Sequence, residues 1–234
     1  LHNAAFYNCR KLKKLSVGTA ISGIGSDEFM NDSQLEHLII RGKDSEATGL
    51  PLILERIAEN ITVSFCPNSS SSPESIVFFP EYYEWLDEIS PAHIFSRSIH
   101  GEGFRMRKSF ENGILNYRKY DSCLENALTV ESPESLCKIA LNRLRWPSRL
   151  EDIFREKYEN VIKKYMGTAF TLAVKDQDFP MLQFICEHFS PDASALASAI
   201  DQCIEKEWGE GNAFLIEAKH KSFSKKTFDF DLDF

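Results

Sequence analysis

The sequence predicts an α+β protein: a leading helix with an antiparallel sheet, followed by an all-helical C-terminal part. Three observations carry that class. Short segments rich in β-branched and aromatic residues, separated by turn signals, cluster between Ile61 and Tyr120. Apolar residues recur at helical spacing before that cluster. From Asp121 onward the pattern is helical as far as a short terminal tail.

Taken in order, residues 4–22 carry Phe6, Leu12 and Leu15 beside the basic run Arg10-Lys11-Leu12-Lys13-Lys14, which reads as a helix with a positive face. Gly18, Gly23 and Gly25 break it. Two further helices are expected over 34–40 and 50–60. The strands expected are 61–65, 75–79, 92–99, 104–110 and 113–120, with a short helix over 80–89 and a loop at 69–72. The last three strands are closely spaced, which favours antiparallel hairpins.

Ser132-Pro133-Glu134-Ser135 opens a helix to Leu144, with proline in its first turn. Trp146-Pro147 ends it, and Ser148 can cap the amphipathic stretch running to Met166. The division expected is a catalytic helix-and-sheet domain over 1–130 and a helical region over 131–234. Residues 168–174 (TAFTLAV) echo 194–200 (SALASAI), and each is followed by a second apolar helix, near 181–184 and 213–216. Small residues in the first helix let a neighbouring pair approach closely, as in stacked helical repeats. The pattern resembles degenerate ankyrin-type repeats, which implies protein recognition; the T-P-L-H signature is missing, and two ordinary helical hairpins fit equally. Residues 228–234 alternate apolar and acidic side chains, as an added edge strand or an acidic tail would.

A formal charge of -8 argues against an affinity for nucleic acid built on phosphate neutralisation. No apolar run reaches membrane-spanning length, so no integral membrane segment is expected. The chain opens at Leu1 and reads as a piece of something longer, with any targeting segment outside view. The six cysteines (Cys9, Cys66, Cys123, Cys137, Cys186 and Cys203) show no C-x-x-C pair, and most have apolar neighbours. That usage favours free thiols in a reducing, cytosol-like setting. Cys186 and His188 have no second ligand pair, so neither a metal site nor a cofactor is expected. The glycine-rich 18–25 segment lacks a Walker lysine and a preceding strand.

Chemistry is most readily built on Cys9. Asn8 is a good N-cap residue, which would set Cys9 in a first helical turn among free backbone N–H groups, with Arg10, Lys11 and Lys13 adding positive field. Those N–H groups, with Asn3, would form an oxyanion hole. His93, at the start of an expected strand, is the candidate general base, and His100 the alternative. Asp121 is the candidate orienting acid, ahead of Asn116 and Asn112. The sequence His100-Gly101-Glu102 reads as turn chemistry.

A cysteine on a leading helix with a histidine on a later sheet is the arrangement of papain-like folds. With ankyrin-like helices behind it, the plan is similar to the secreted effector cysteine proteases of enteric bacterial pathogens, the EspL and OspD type. That resemblance implies Cys9 as nucleophile, His93 as base, Asp121 as orienter, delivery into a host cell, and a host protein as substrate. Cleavage or deamidation would both pass through a thioester. Two other classes stay open: a non-enzymatic interaction protein using the helical surface, and an NAD-consuming transferase, since some pathogen effectors carry ankyrin-like helices beside such a domain.

Overall fold

The structure, a computed structural model, describes residues 5–25, 29, 34–68, 70, 72–89 and 94–227. Strands and helices coexist as an α+β fold, and the chain divides into two compact units, residues 1–158 and 159–234. Asn3, His93 and the alternating tail lie outside the described residues.

The first unit is organised on a four-stranded sheet of β1 (Lys14–Gly18), β2 (His37–Arg41), β3 (Ile61–Phe65) and β4 (Ser75–Phe79), in that spatial order. The pairings β1–β2 and β2–β3 are parallel, and β3–β4 is antiparallel. The sheet is therefore mixed, and its first two strands replace expected helices. Lys14-Leu15-Ser16-Val17 alternates polar and apolar residues, the period of an edge strand half facing water. Leu38, Ile39 and Ile40 are all buried, as a central strand covered on both faces requires. Neither pattern leaves a helix a polar face. Between β2 and β3 the helix expected over 50–60 contracts to α1 (Leu50–Leu54), with Leu50, Ile53 and Leu54 in the core.

The next stretch exchanges types. Residues expected as a helix form β5 (Tyr83–Ile89), paired antiparallel with β6 (Ile94–His100). Residues expected as a strand form α2 (Gly103–Arg107), whose buried positions Gly103, Met106 and Arg107 follow the i, i+3, i+4 spacing of a helix. A small hairpin, β7 (Phe110–Glu111) with β8 (Ile114–Leu115), turns at Asn112 and Gly113. Both turn residues have positive φ, 51° and 79°, as a tight Asn-Gly turn demands. The rest of the expected 113–120 strand is α3 (Tyr117–Ser122), because Asn116 Oδ1 caps it by accepting from Lys119 N–H at 3.0 Å.

Helices α4 (Leu124–Val130) and α5 (Pro133–Arg145) follow, and Ser132 caps α5 by accepting from Ser135 N–H at 3.1 Å. Helix α5 packs on β4, which ties it to the sheet. Its Arg143 forms a bidentate pair with Asp121 at 2.8 and 2.9 Å, and both residues are essentially inaccessible to solvent. The Tyr158 hydroxyl, on α6 (Asp152–Lys164), donates to the same carboxylate at 2.8 Å.

The second unit holds α7 (Met166–Lys175), α8 (Phe179–Phe189), α9 (Ala193–Glu205) and α10 (Gly209–Thr227). Helix α7 packs on α8 and α9, and α10 packs on α8 and α9. The two hairpin turns carry the same backbone hydrogen bonds. Gln177 N–H donates to Val174 and Asp178 N–H to Ala173; Glu207 N–H donates to Ile204 and Trp208 N–H to Cys203. Gln177 and Glu207 both adopt positive φ, 49° and 54°. The structural repeat is thus 30 residues, matching buried Ala169 to buried Ala199. The sequence echo ran one helical turn out of this register, because small residues recur along both helices.

Candidate functional site

Cys9 is exposed, but it does not begin a helix. Asn8 has φ 65° and spends its side-chain oxygen on Arg10 Nε at 3.0 Å, so it caps nothing. The local N–H groups are also engaged: Cys9 donates to the Phe6 carbonyl at 3.1 Å and Arg10 to the Asn8 carbonyl at 2.9 Å. No oxyanion hole is left at these two amides.

Asp121 departs from its expected role for a plain reason. Arg143 and Tyr158 occupy its carboxylate, deep in the core. Asn116 is the cap of α3, and Asn112 makes the tight turn between β7 and β8. Among the described residues, no hydrogen bond joins Cys9 to His100, Asp121, Asn116 or Asn112.

The residues that do converge on a cavity surround Glu102. The space is about 650 Å³, within the range of small-molecule sites. Strand β5 contributes Tyr83, β6 contributes His100, α2 contributes Arg105, α4 contributes Asn126, and Glu131 joins α4 to α5. The cross-strand register places Tyr83 opposite His100, and their rings stack at 4.8 Å and 12°. That pair forms an aromatic wall suited to a planar group.

Glu102 is only 1% exposed. One carboxylate oxygen accepts from the Asn126 amide. The other, Oε1, is buried without a hydrogen bond; Arg105 Nη1 stands 3.4 Å away as an ion-pair partner. The Glu102 backbone N–H donates to Glu131 Oε1 at 2.7 Å. Burial raises the Glu131 pKa above the ordinary carboxylate value, and the charges of Glu102 and Glu81 push it the same way. Burial, then the Glu102 charge, lifts the Cys123 thiol to about 11, so it is held as a neutral thiol near neutral pH.

The chain reaches this geometry through two glycines. Gly101 has φ 91°, and a β-carbon there would stand 2.6 Å from the Glu81 carbonyl. A β-carbon on Gly103 would meet the Pro80 carbonyl at 1.9 Å. The Glu102 backbone is therefore clamped against the segment leading into β5. The H-G-E-G run carried that signal in the sequence, two glycines flanking an acid, whereas Glu131, Asn126 and Tyr83 come from distant segments with no local motif. Among the described residues, no cluster of His, Cys, Asp and Glu is arranged to hold a metal ion. Nor, among the described residues, is any helix long and apolar enough to cross a membrane. Comparison with protein-family models, curated proteins and solved structures finds no match.

Proposed function

We propose that the cavity around Glu102 is the catalytic centre of an NAD-consuming transferase, and that the helical hairpins of the second unit recognise the protein acceptor. The observation that carries this reading is Glu102, a cavity-lining residue whose buried carboxylate keeps one oxygen without a hydrogen bond, beside a wall of stacked aromatic rings. Breaking the glycosidic C–N bond of NAD sends the bonding electrons to the nicotinamide nitrogen and leaves a ribosyl cation. A fixed, desolvated carboxylate stabilises such a cation far better than water does. The acceptor nucleophile then bonds to the ribosyl carbon and gives up its proton. Glu131, made a stronger base by its surroundings, would take it. The Tyr83–His100 wall suits the nicotinamide ring.

The repeated hairpins supply a surface of the kind that stacked helical pairs use for protein recognition. Delivery into a reducing host cytosol agrees with the six free thiols. The test is NAD-dependent protection of the full chain against heat, which binding to the folded state alone requires. A rise in Tm with NAD, absent in Glu102→Lys, supports the reading; no rise in the wild-type chain contradicts it.

A thiol hydrolase centred on Cys9 is the second reading. It is favoured by one observation: Cys9 is exposed, whereas Cys66, Cys123, Cys137 and Cys203 are buried. Its general base would be His93. Fast, pH-dependent alkylation confined to Cys9, with loss of peptidase or deamidase activity in Cys9→Ala, is its test.

A further inference from the structure

Arg107 is a charged residue sealed into the first unit, 3% exposed, with no carboxylate holding it. Backbone carbonyls hold it instead. Nε donates to Ile57 at 2.9 Å, Nη1 to Pro80 and Gly103 at 2.5 and 3.0 Å, and Nη2 to Glu59 at 2.6 Å. A guanidinium has five N–H groups, so among the described residues one on Nη2 has no acceptor. The aromatic rings of Tyr82 and Phe79 lie 5.1 and 5.9 Å from the guanidinium carbon. Burial has already pushed its pKa down to about 10, a sign that the cation is poorly solvated where it stands.

This guanidinium lines a second cavity, of about 340 Å³. Arg56, Arg97 and Lys108 line it too, against two carboxylates, Glu55 and Glu84. Those two are already used: Glu55 pairs with Lys108 at 2.9 Å, and Glu84 pairs with Arg97. Among the described residues, neither Arg56 nor Arg107 forms a direct ion pair, although the charges of Glu59 and Glu131 act on Arg107 from further off. In a chain whose net charge is -8, the cavity lining therefore sets four cations against two carboxylates around a rigid guanidinium. Four fixed hydrogen bonds pre-organise that group, so a ligand would meet it without ordering cost.

We infer that this cavity is a binding site for a phosphate-type oxyanion, with the spare Arg107 N–H as its fixed donor and Arg56 and Lys108 as its outer cations. An oxyanion accepts several donors at once, so it can take the one spare Arg107 N–H together with the outer cations. The site is independent of the transferase reading, because its ligand is read by binding and not by turnover.

The experiment is calorimetric titration of the full chain at low ionic strength with inorganic pyrophosphate, and separately with adenosine diphosphate. The wild-type chain should bind at least one of them, more weakly as salt rises. Arg56→Gln with Lys108→Gln, both outside the core, should weaken binding at least tenfold while leaving Tm without ligand nearly unchanged. Tighter binding of the nucleotide assigns the phosphate to a nucleotide, and tighter binding of pyrophosphate to a free oxyanion. Binding of neither, or equal binding in the double variant, overturns the inference. Arg107→Lys tests the central donor: where it folds, unchanged affinity also overturns it.

Discussion

Glu102 donates its backbone N–H to the side chain of Glu131 at 2.7 Å, so the main chain of one acid positions the carboxylate of the other. The hydrogen bond favours a charged Glu131, while burial and the neighbouring Glu102 and Glu81 charges oppose it, and the opposition wins. The two carboxylates of the cavity therefore sit in different environments, which is how paired acids come to hold different roles.

A pH dependence follows from Glu131. Its pKa in the folded chain lies above the unfolded value, so its contribution to stability is fullest below the ordinary carboxylate pKa and is lost as pH rises through the raised value. Glu131→Gln keeps an acceptor for the Glu102 N–H and cannot ionise. It should be more stable than the wild-type chain at neutral pH, with the difference vanishing under acid conditions. Thermal denaturation across pH 3–8 checks this; a difference independent of pH would count against it.

The Asp121–Arg143 pair should behave as structure. Arg143→Ala leaves a buried carboxylate with only Tyr158 for a donor and should cost about 3–5 kcal/mol. Replacing both partners together, as Asp121→Leu with Arg143→Met, should recover much of that loss. Urea denaturation of both variants beside the wild-type chain measures it. A catalytic Asp121 would instead give Asp121→Asn full stability and no activity.

The hairpin turns offer a gain. Gln177 and Glu207 adopt a left-handed backbone that favours glycine. Gln177→Gly or Glu207→Gly should raise stability by up to about 1 kcal/mol, the relief of the β-carbon clash exceeding the added unfolded-state entropy. Similar gains at both positions would agree with the shared turn; a loss at either would show that its side chain contributes more than its strain costs.

Cys9 should label quickly with a neutral alkylating reagent because it is exposed, whereas Cys123 and Cys137, with thiols raised to about 11 and about 12, should label only on unfolding. Under the transferase reading, Cys9→Ala retains full activity. Loss of activity with an intact fold would favour the thiol reading.

Legibility in the sequence tracked the locality of the signal. The strands at 61–65 and 75–79 were plain, since continuous β-branched and aromatic runs bounded by turns have one reading. So were the C-terminal helices, whose caps Ser132, Asp178 and Asp192 each accept from the N–H three residues on. The N-terminal third reads as helix in the sequence because five-residue strands such as KLSVG and HLIIR are too short for periodicity to separate from a helical turn. Only the parallel pairing with β3, some 20 residues on, decides that case for β2. The same limit applies to the site. Beside its glycines Glu102 reads as turn chemistry, because its value rests on Asn126 and Glu131, which fold onto it from later segments.

The central claim is that the Glu102 carboxylate does the chemistry, and release of nicotinamide from NAD tests it most directly. The full chain should release nicotinamide, and Glu102→Gln, with an amide that keeps the side-chain shape, should fold normally and lose at least ~100-fold in kcat with little change in KM. Release by Glu102→Gln at the wild-type rate, or no release by the wild-type chain with or without a protein acceptor, would contradict the account.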